Sequence, residues 1–149
     1  MDKEGHLNYV NGALEDLDNR VIRAVGNPVD RFTEDPLRML RAIRFMCQLN
    51  NFTVEWWTKL AITENNLLIK QISQERIQEE LNKILISNHS LEGINELYYD
   101  YLLDDIVPEM GLCCDCSQNK YHKYDVFDHL LYVLELVPND LSLRLTALF

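Results

Sequence analysis

The chain has 149 residues, of which 47% are apolar and 26% are charged, so it can bury a hydrophobic core as one domain or two small ones. Its five glycines and four prolines are few, which disfavours a β-sandwich and favours a helical fold. The net charge of −10 argues against extensive contact with a polyanion, and no apolar run is long enough to cross a membrane, so we expect a cytoplasmic protein.

Residues 1–28 indicate a short extended segment. An Asn-Gly pair at 11–12 predicts a turn, and the β-branched run RVIRAV is closed by Gly26 and Pro28. An isolated hairpin is only marginally stable in water. We therefore expect this segment to be the remnant of a larger sheet or to pack on the helices that follow.

From Thr33 onward the apolar residues recur at helical spacing. Thr33 is predicted to cap the first long helix, with Pro36 tolerated in its first turn. The sequence NNFT at 50–53 should end that helix. Further helices are predicted at 55–64, after Ser73, and near 91–103, 125–136 and 141–149. The predicted fold is therefore mainly α, with the polar stretch CCDCSQNKYHKY (113–124) as the best candidate linker.

One segment of this acidic chain is cationic. Residues 29–49 hold four arginines, at 31, 38, 41 and 44, against the acids at 30, 34 and 35. On a single helix, positions 35, 38, 41 and 44 would form one slanted ridge about 13 Å long. Intrahelical salt bridges would explain a pairing of Asp35 with Arg38, but they do not explain three successive arginines that repel one another.

Asp35 and Arg38 together could read a nucleobase. A carboxylate accepts hydrogen bonds and a guanidinium donates them, so the pair matches the Watson–Crick edges of cytosine and adenine and conflicts with those of uracil and guanine. Arg41 and Arg44 could then bind phosphate oxygens in bidentate fashion. On spacing alone, nucleotide binding and a solvated helix face are both open.

The sequence EDPLRMLRAIRF (34–45) resembles the E-D-x-x-R-x-x-R-A-x-R-F motif of the CCA-adding tRNA nucleotidyltransferases and bacterial poly(A) polymerases. YVNGALEDLDNRVIRAVGNPVDRF and ISQERIQEELNKIL also resemble segments of that family. The resemblance implies that Asp35 and Arg38 act as a protein template selecting CTP or ATP, that Arg41 and Arg44 hold the nucleotide, and that Glu34 orients the template arginine. It also implies tRNA as partner.

The family's catalytic D-x-D pair, which binds Mg²⁺, is not found in its expected context. Asp16 and Asp18 have D-x-D spacing, but their position matches a later segment of the family, so we interpret them as surface carboxylates. The resemblance implies three parts: residues 1–28 as the end of the nucleotidyltransferase head, 29–112 as the neck with the template helix, and 113–149 as a linker and the start of a body or HD-like domain. We expect this chain alone to be inactive in nucleotide transfer.

The segment YHKYDVFDH (121–129) resembles the start of an HD phosphohydrolase domain, in which His129 would be a metal ligand. One histidine cannot build a metal site, because divalent metals need three or more ligands. A fragment of an HD-type metal-dependent phosphohydrolase and a helical interaction module without nucleotide chemistry therefore stay open as alternatives. Asp104 and Asp105 are interpreted as helix caps, and the four cysteines as reduced thiols, since their spacing does not suit a zinc site.

Overall fold

The computed structural model describes residues 12–114, 116 and 125–149. Asn11 of the predicted Asn-Gly turn lies outside this range. His122 and most of the predicted linker also lie outside it. The described elements are α1 (Ala13–Asp18), β1 (Val21–Ile22), α2 (Pro28–Glu34), α3 (Leu37–Gln48), β2 (Thr53–Val54), α4 (Trp56–Glu64), a 3-10 helix (Asn66–Gln71), α5 (Gln74–Leu85), α6 (Ser90–Tyr99), α7 (Leu103–Ile106), α8 (Pro108–Gly111), α9 (Val126–Leu136) and α10 (Leu141–Leu148).

The architecture confirms the predicted mainly α fold with a short β element near its start. The two strands are parallel, with Val21 opposite Thr53 and Ile22 opposite Val54. The prediction of a short extended segment over residues 1–28 was wrong for its described part. From Gly12 onward this part contains helix α1 and strand β1, which pairs with the distant strand β2. Within the described ranges, no helix has the length and apolar character needed to cross a bilayer.

Helix α3 lies at the centre of the core. Met39, Leu40, Ile43 and Cys47 are fully buried on one of its faces, where they pack against α5 and α6. Gly93 on α6 permits this close packing, because a Cβ atom there would lie 2.5 Å from the Cys47 sulfur. The core positions of α3 therefore fix the orientation of its polar face.

The start of α3 differs from the prediction. Thr33 does not cap the helix; it lies inside α2, where its hydroxyl donates to the Val29 carbonyl at 2.9 Å. The break falls at Asp35, which has φ −149° and ψ 97°. Pro36 causes the break, because a proline disfavours helical geometry in the residue before it. Helix α3 therefore begins at Leu37, directly after Pro36.

The predicted helix over 91–103 is also interrupted. Helix α6 ends at Tyr99, and Tyr101 has a left-handed backbone with φ 58°. The Leu102 amide donates to the Leu97 carbonyl at 2.9 Å, and the Tyr101 amide to the Tyr98 carbonyl at 3.0 Å. These two bonds form a Schellman motif, which ends the helix and redirects the chain into α7.

Candidate functional site

A cleft of about 420 Å³ opens between β1, α2, α3 and the start of α4. This volume is within the range of small-molecule sites. Its described lining contains no acidic residue and includes two aromatic residues, Phe32 and Phe45. The charged residues of the lining are four arginines: Arg23, Arg31, Arg38 and Arg41. In a chain of net charge −10, the charged side chains in the described lining of this cleft are all cationic.

Glu34 holds two of the arginines in place. One carboxylate oxygen lies 2.9 Å from the Arg31 guanidinium, and the other accepts a hydrogen bond from Arg38 Nη1 at 3.1 Å. Arg38 Nη1 also lies 3.4 Å from the Arg31 carbonyl oxygen, to which it donates. The end of α2 therefore contacts the first arginine of α3, and the orienting role of Glu34 stays a prediction.

Arg41 lies three residues further along α3 and also lines the cleft. It is exposed and forms no ion pair with any other described residue. The other three arginines of the lining each have a carboxylate partner. Arg41 is therefore the arginine of the cleft whose charge is most available to an anionic ligand.

Asp35 lies beside the cleft rather than in its lining. Its Oδ1 accepts a hydrogen bond from the Leu37 amide at 3.3 Å and lies 3.5 Å from Arg76 Nη2 of α5. Because Asp35 precedes Pro36, it is not part of α3, so the predicted ridge does not run continuously from Asp35 to Arg44. The backbone still keeps it close to Arg38, whose amide lies 3.1 Å from the Asp35 carbonyl oxygen.

Arg44 points away from the cleft into the interface between α3 and α5. Its Nη1 lies 2.9 Å from Glu80 Oε2 and donates to Oε1 at 3.2 Å, and only 12% of the arginine side chain and 7% of the glutamate side chain are exposed. The guanidinium also lies 4.3 Å from the centre of the Phe45 ring. A contact of Arg44 with phosphate stays a prediction that would require it to leave Glu80.

Sequence reasoning missed Arg23 and Arg31 as residues of the site. Arg31 had a signal, since it belongs to the cationic segment. Arg23 lies in a segment that resembles the family, but its place in the cleft could not be predicted, because it depends on the pairing of β1 with β2 and on a hydrogen bond of 3.1 Å from the Ala24 amide to the Thr58 hydroxyl. The Arg23 guanidinium forms two hydrogen bonds with Asp16, of 2.9 and 3.0 Å, which lower the pKa of that carboxyl below its ordinary value.

The carboxylates and histidines of the described ranges do not assemble into a metal site. No group of three side chains from His, Cys, Asp and Glu is placed to hold an ion there. A metal-binding role of His129 therefore stays a prediction. The predicted caps are corrected, since neither Asp104 nor Asp105 forms a side-chain capping bond, and Asp105 instead lies 3.0 Å from the Lys70 ammonium.

The cysteines of the described residues are free thiols. Cys47 is fully buried, and burial raises the pKa of its thiol to about 12, so it acts as an apolar core residue. The Cys113 thiol donates to the Glu109 carbonyl at 3.2 Å, and the Cys116 thiol to the Leu112 carbonyl at 3.1 Å.

Comparison with known proteins shows similarity to one family over much of the chain. Residues 51–113 match the family described as the probable RNA and SrmB-binding site of polymerase A. The CCA-adding enzyme of Lactobacillus helveticus is 45% identical over 111 residues, which are 74% of this chain and 27% of that enzyme. The CCA-adding enzyme of Bacillus licheniformis is 51% identical over 85 residues, which are 57% of this chain and 21% of that enzyme.

Solved structures agree with these similarities. A structure described as a tRNA-processing enzyme (apo form I) superposes with a TM-score of 0.66 and 28% identity, covering 92% of this chain and 37% of that one. A second, described as tRNA-processing enzyme complex 3, superposes with a TM-score of 0.62 and 26% identity, covering 97% of this chain and 43% of that one. The chain spans about a quarter of the length of the curated relatives that it matches.

Proposed function

We propose that the chain is a piece of a CCA-adding enzyme or poly(A) polymerase, to which its sequence and fold are similar, and that it supplies the nucleotide-selecting part of an enzyme that adds C and A to the 3′ ends of tRNA. In this proposal residues 1–28 end the catalytic head, 29–112 form the neck and 113–149 begin a body or HD-like domain. The cytoplasmic location predicted from the sequence is part of the same proposal.

The single observation that carries the proposal is the arginine cleft with an oriented Arg38. Glu34 fixes the fork of Arg38 on the cleft wall, so its N–H donors face an incoming base with little loss of side-chain freedom. Asp35 supplies the neighbouring acceptor after a change of its side-chain partners, since its carboxylate contacts Leu37 and Arg76 in this structure. Donor and acceptor together favour cytosine and adenine over uracil and guanine.

Arg41 is proposed to bind the phosphates of the nucleotide. It is the cleft arginine without an ion pair to any described residue, so an anion would not have to displace a carboxylate. The tRNA is proposed to approach the same cationic surface, because phosphate contacts require arginine or lysine and the rest of the chain is acidic.

The Mg²⁺ expected for the parent reaction has no site among the residues that the structure describes. Because the D-x-D pair that the resemblance implies for Mg²⁺ is not found in its expected sequence context, we expect the 149-residue chain to bind nucleotide without transferring it. An HD-type hydrolase receives no support from these residues either, since His129 has not been brought together with two further ligands.

The proposal is tested by titrating CTP, ATP, UTP and GTP into the chain by calorimetry. We expect CTP and ATP to bind more tightly than UTP and GTP. Arg38→Ala should reduce the preference for CTP over UTP by about tenfold, the effect of losing a bidentate contact with a base. Arg38→Lys should reduce it similarly, because an ammonium keeps the charge and loses the fork. Arg41→Ala should weaken all four nucleotides alike.

The matched control is Arg20→Ala, which removes an exposed arginine outside the cleft lining and should leave the preference unchanged. An unchanged preference for CTP over UTP in the Arg38→Ala variant would contradict the template role. Equal binding of all four nucleotides by the unmodified chain, or no binding, would instead favour a helical interaction module.

A further inference from the structure

A second cleft, of about 430 Å³, lies at the C-terminal end of α6. It is formed by the end of α6 and by α7 and α8, and it is lined by Tyr98, Tyr99, Tyr101, Asp104, Gly111 and Cys114. The rings of Tyr98 and Tyr99 are tilted by 59° with their centres 5.5 Å apart. Three tyrosines and a carboxylate therefore share one concave surface, and none of them belongs to the arginine cleft.

Tyr101 occupies a backbone conformation that suits glycine. Its φ of 58° is left-handed, which costs an ordinary residue roughly 1 kcal/mol relative to glycine. Its side chain is 61% exposed, so burial of the ring offsets little of that cost. Tyr101 takes this conformation because it lies in the Schellman motif that ends α6, and its exposed ring is available to a ligand of the cleft.

The charged side chain in the described lining of this cleft is acidic, that of Asp104, while the neighbouring Asp105 is paired with Lys70. Residues 84–114 contain no lysine or arginine, and their acidic residues are Glu92, Glu96, Asp100, Asp104, Asp105 and Glu109. The carboxylate of Asp104 forms no ion pair with any described residue and rests against Gly111, where a Cβ atom would lie 2.0 Å from Oδ1. A larger residue at 111 would displace this carboxylate from the cleft.

We propose that the tyrosine cleft binds an arginine or lysine side chain from a basic segment of a partner protein. Aromatic faces attract a guanidinium or ammonium group, and the Asp104 carboxylate supplies the opposite charge and a hydrogen-bond acceptor. RNA is the less suitable occupant, because the Asp104 carboxylate would repel its phosphates and the described lining of the cleft supplies no cation. The inference does not depend on the proposed nucleotide site.

The test uses a fluorescently labelled hexa-arginine peptide and measures its anisotropy on titration with the 149-residue chain. Tyr101→Gly should weaken peptide binding about fivefold, the effect of losing one cation–π contact, while raising the unfolding temperature of the chain because the left-handed position is relieved. Asp104→Asn should also weaken binding. Glu79→Gln, which removes one charge from an exposed site on α5, is the matched control and should have a much smaller effect.

Each outcome decides the proposal. Weaker binding in a more stable Tyr101→Gly chain supports it and separates the binding role from a structural role. Equal losses in Asp104→Asn and Glu79→Gln would show general attraction to an acidic protein and would overturn it. Competition by single-stranded oligoadenylate that is lost in Tyr101→Gly would show that the cleft stacks bases, and would overturn it as well.

Discussion

Asp100 shows how a single buried residue can make the stability of this chain depend on pH. Its side chain accepts a hydrogen bond from the Thr63 hydroxyl at 2.9 Å, and it lies near the ion pair of Lys59 and Glu96. Asp100 is only 2% exposed, and burial raises the pKa of its carboxyl from 3.8 to about 6. The folded state therefore binds this proton more tightly than the unfolded chain does.

The sign of the effect follows from that difference. Between pH 3.8 and about 6 the folded chain holds a proton that the unfolded chain has released, so stability falls as the pH rises through this window. Asp100→Asn removes the ionisation and should be more stable than the unmodified chain at neutral pH, by up to about 3 kcal/mol. The advantage should shrink towards pH 4, as measured by urea unfolding across this range.

Asp18→Asn, which changes an exposed aspartate on α1, is the control and should leave the pH profile unchanged. A stability difference between Asp100→Asn and the unmodified chain that stays constant from pH 4 to 7 would show that Asp100 is not the titrating group.

At the scale of elements, the buried pair of Arg44 and Glu80 joins α3 to α5. Removing one member of such a pair leaves an uncompensated charge in a desolvated interface. We therefore expect Arg44→Met to lower the free energy of unfolding by roughly 3 kcal/mol, measured by chemical denaturation. Lys83, which also contacts Glu80 at 3.0 Å, should moderate the loss.

The double variant Arg44→Met with Glu80→Leu should be measured alongside the single variant. It replaces the pair by apolar side chains and should recover most of the lost stability, since an apolar contact in such a place is often as stable as an ion pair. If the two substitutions instead add their separate losses, Arg44 and Glu80 do not act as a pair. Loss of nucleotide binding by Arg44→Met at full stability would favour a direct phosphate contact.

The same interface shows which elements could be predicted from the sequence. The helices α4 and α5 were predicted because their apolar spacing and the breaks before them are local signals. The break at Asp35 was missed, although the effect of Pro36 on the preceding residue is also local. The pairing of Arg44 with Glu80 was missed because it joins residues 36 positions apart, which no local pattern reports.

The residues of the candidate site divide in the same way, into those with a local sequence signal and those placed by contacts between distant parts of the chain. Arg38, Arg41 and Glu34 were predicted from one short segment; Arg38 and Arg41 line the cleft, and Glu34 contacts Arg38. Arg23 was missed because a parallel strand pair carries it to the cleft. The parallel pairing itself was hidden, because two strands of two residues each carry too little alternation to indicate their register.

At the scale of the whole molecule, Arg144 joins the C-terminal helices to the central bundle. This residue of α10 is 5% exposed and donates to the Pro138 carbonyl at 3.0 Å, to the Ser90 hydroxyl on α6 and to the Asn139 side-chain oxygen. No carboxylate of the described residues forms an ion pair with it, and burial lowers the pKa of its guanidinium. Its charge is stabilised by neutral acceptors alone, which makes this attachment sensitive to substitution.

Arg144→Met should therefore loosen α9 and α10 without unfolding the rest. The Ser90 and Pro138 oxygens lose their donor, at a cost of about 2 kcal/mol, so amide hydrogen exchange in residues 126–148 should become about thirtyfold faster while α3 and α5 keep their protection. Thr146→Ala, an exposed change on the same helix, should alter neither region. An equal loss of protection in α3 and α10 would mean that the described part of the chain opens as one cooperative unit, in which the arginine cleft and the C-terminal helices cannot move independently.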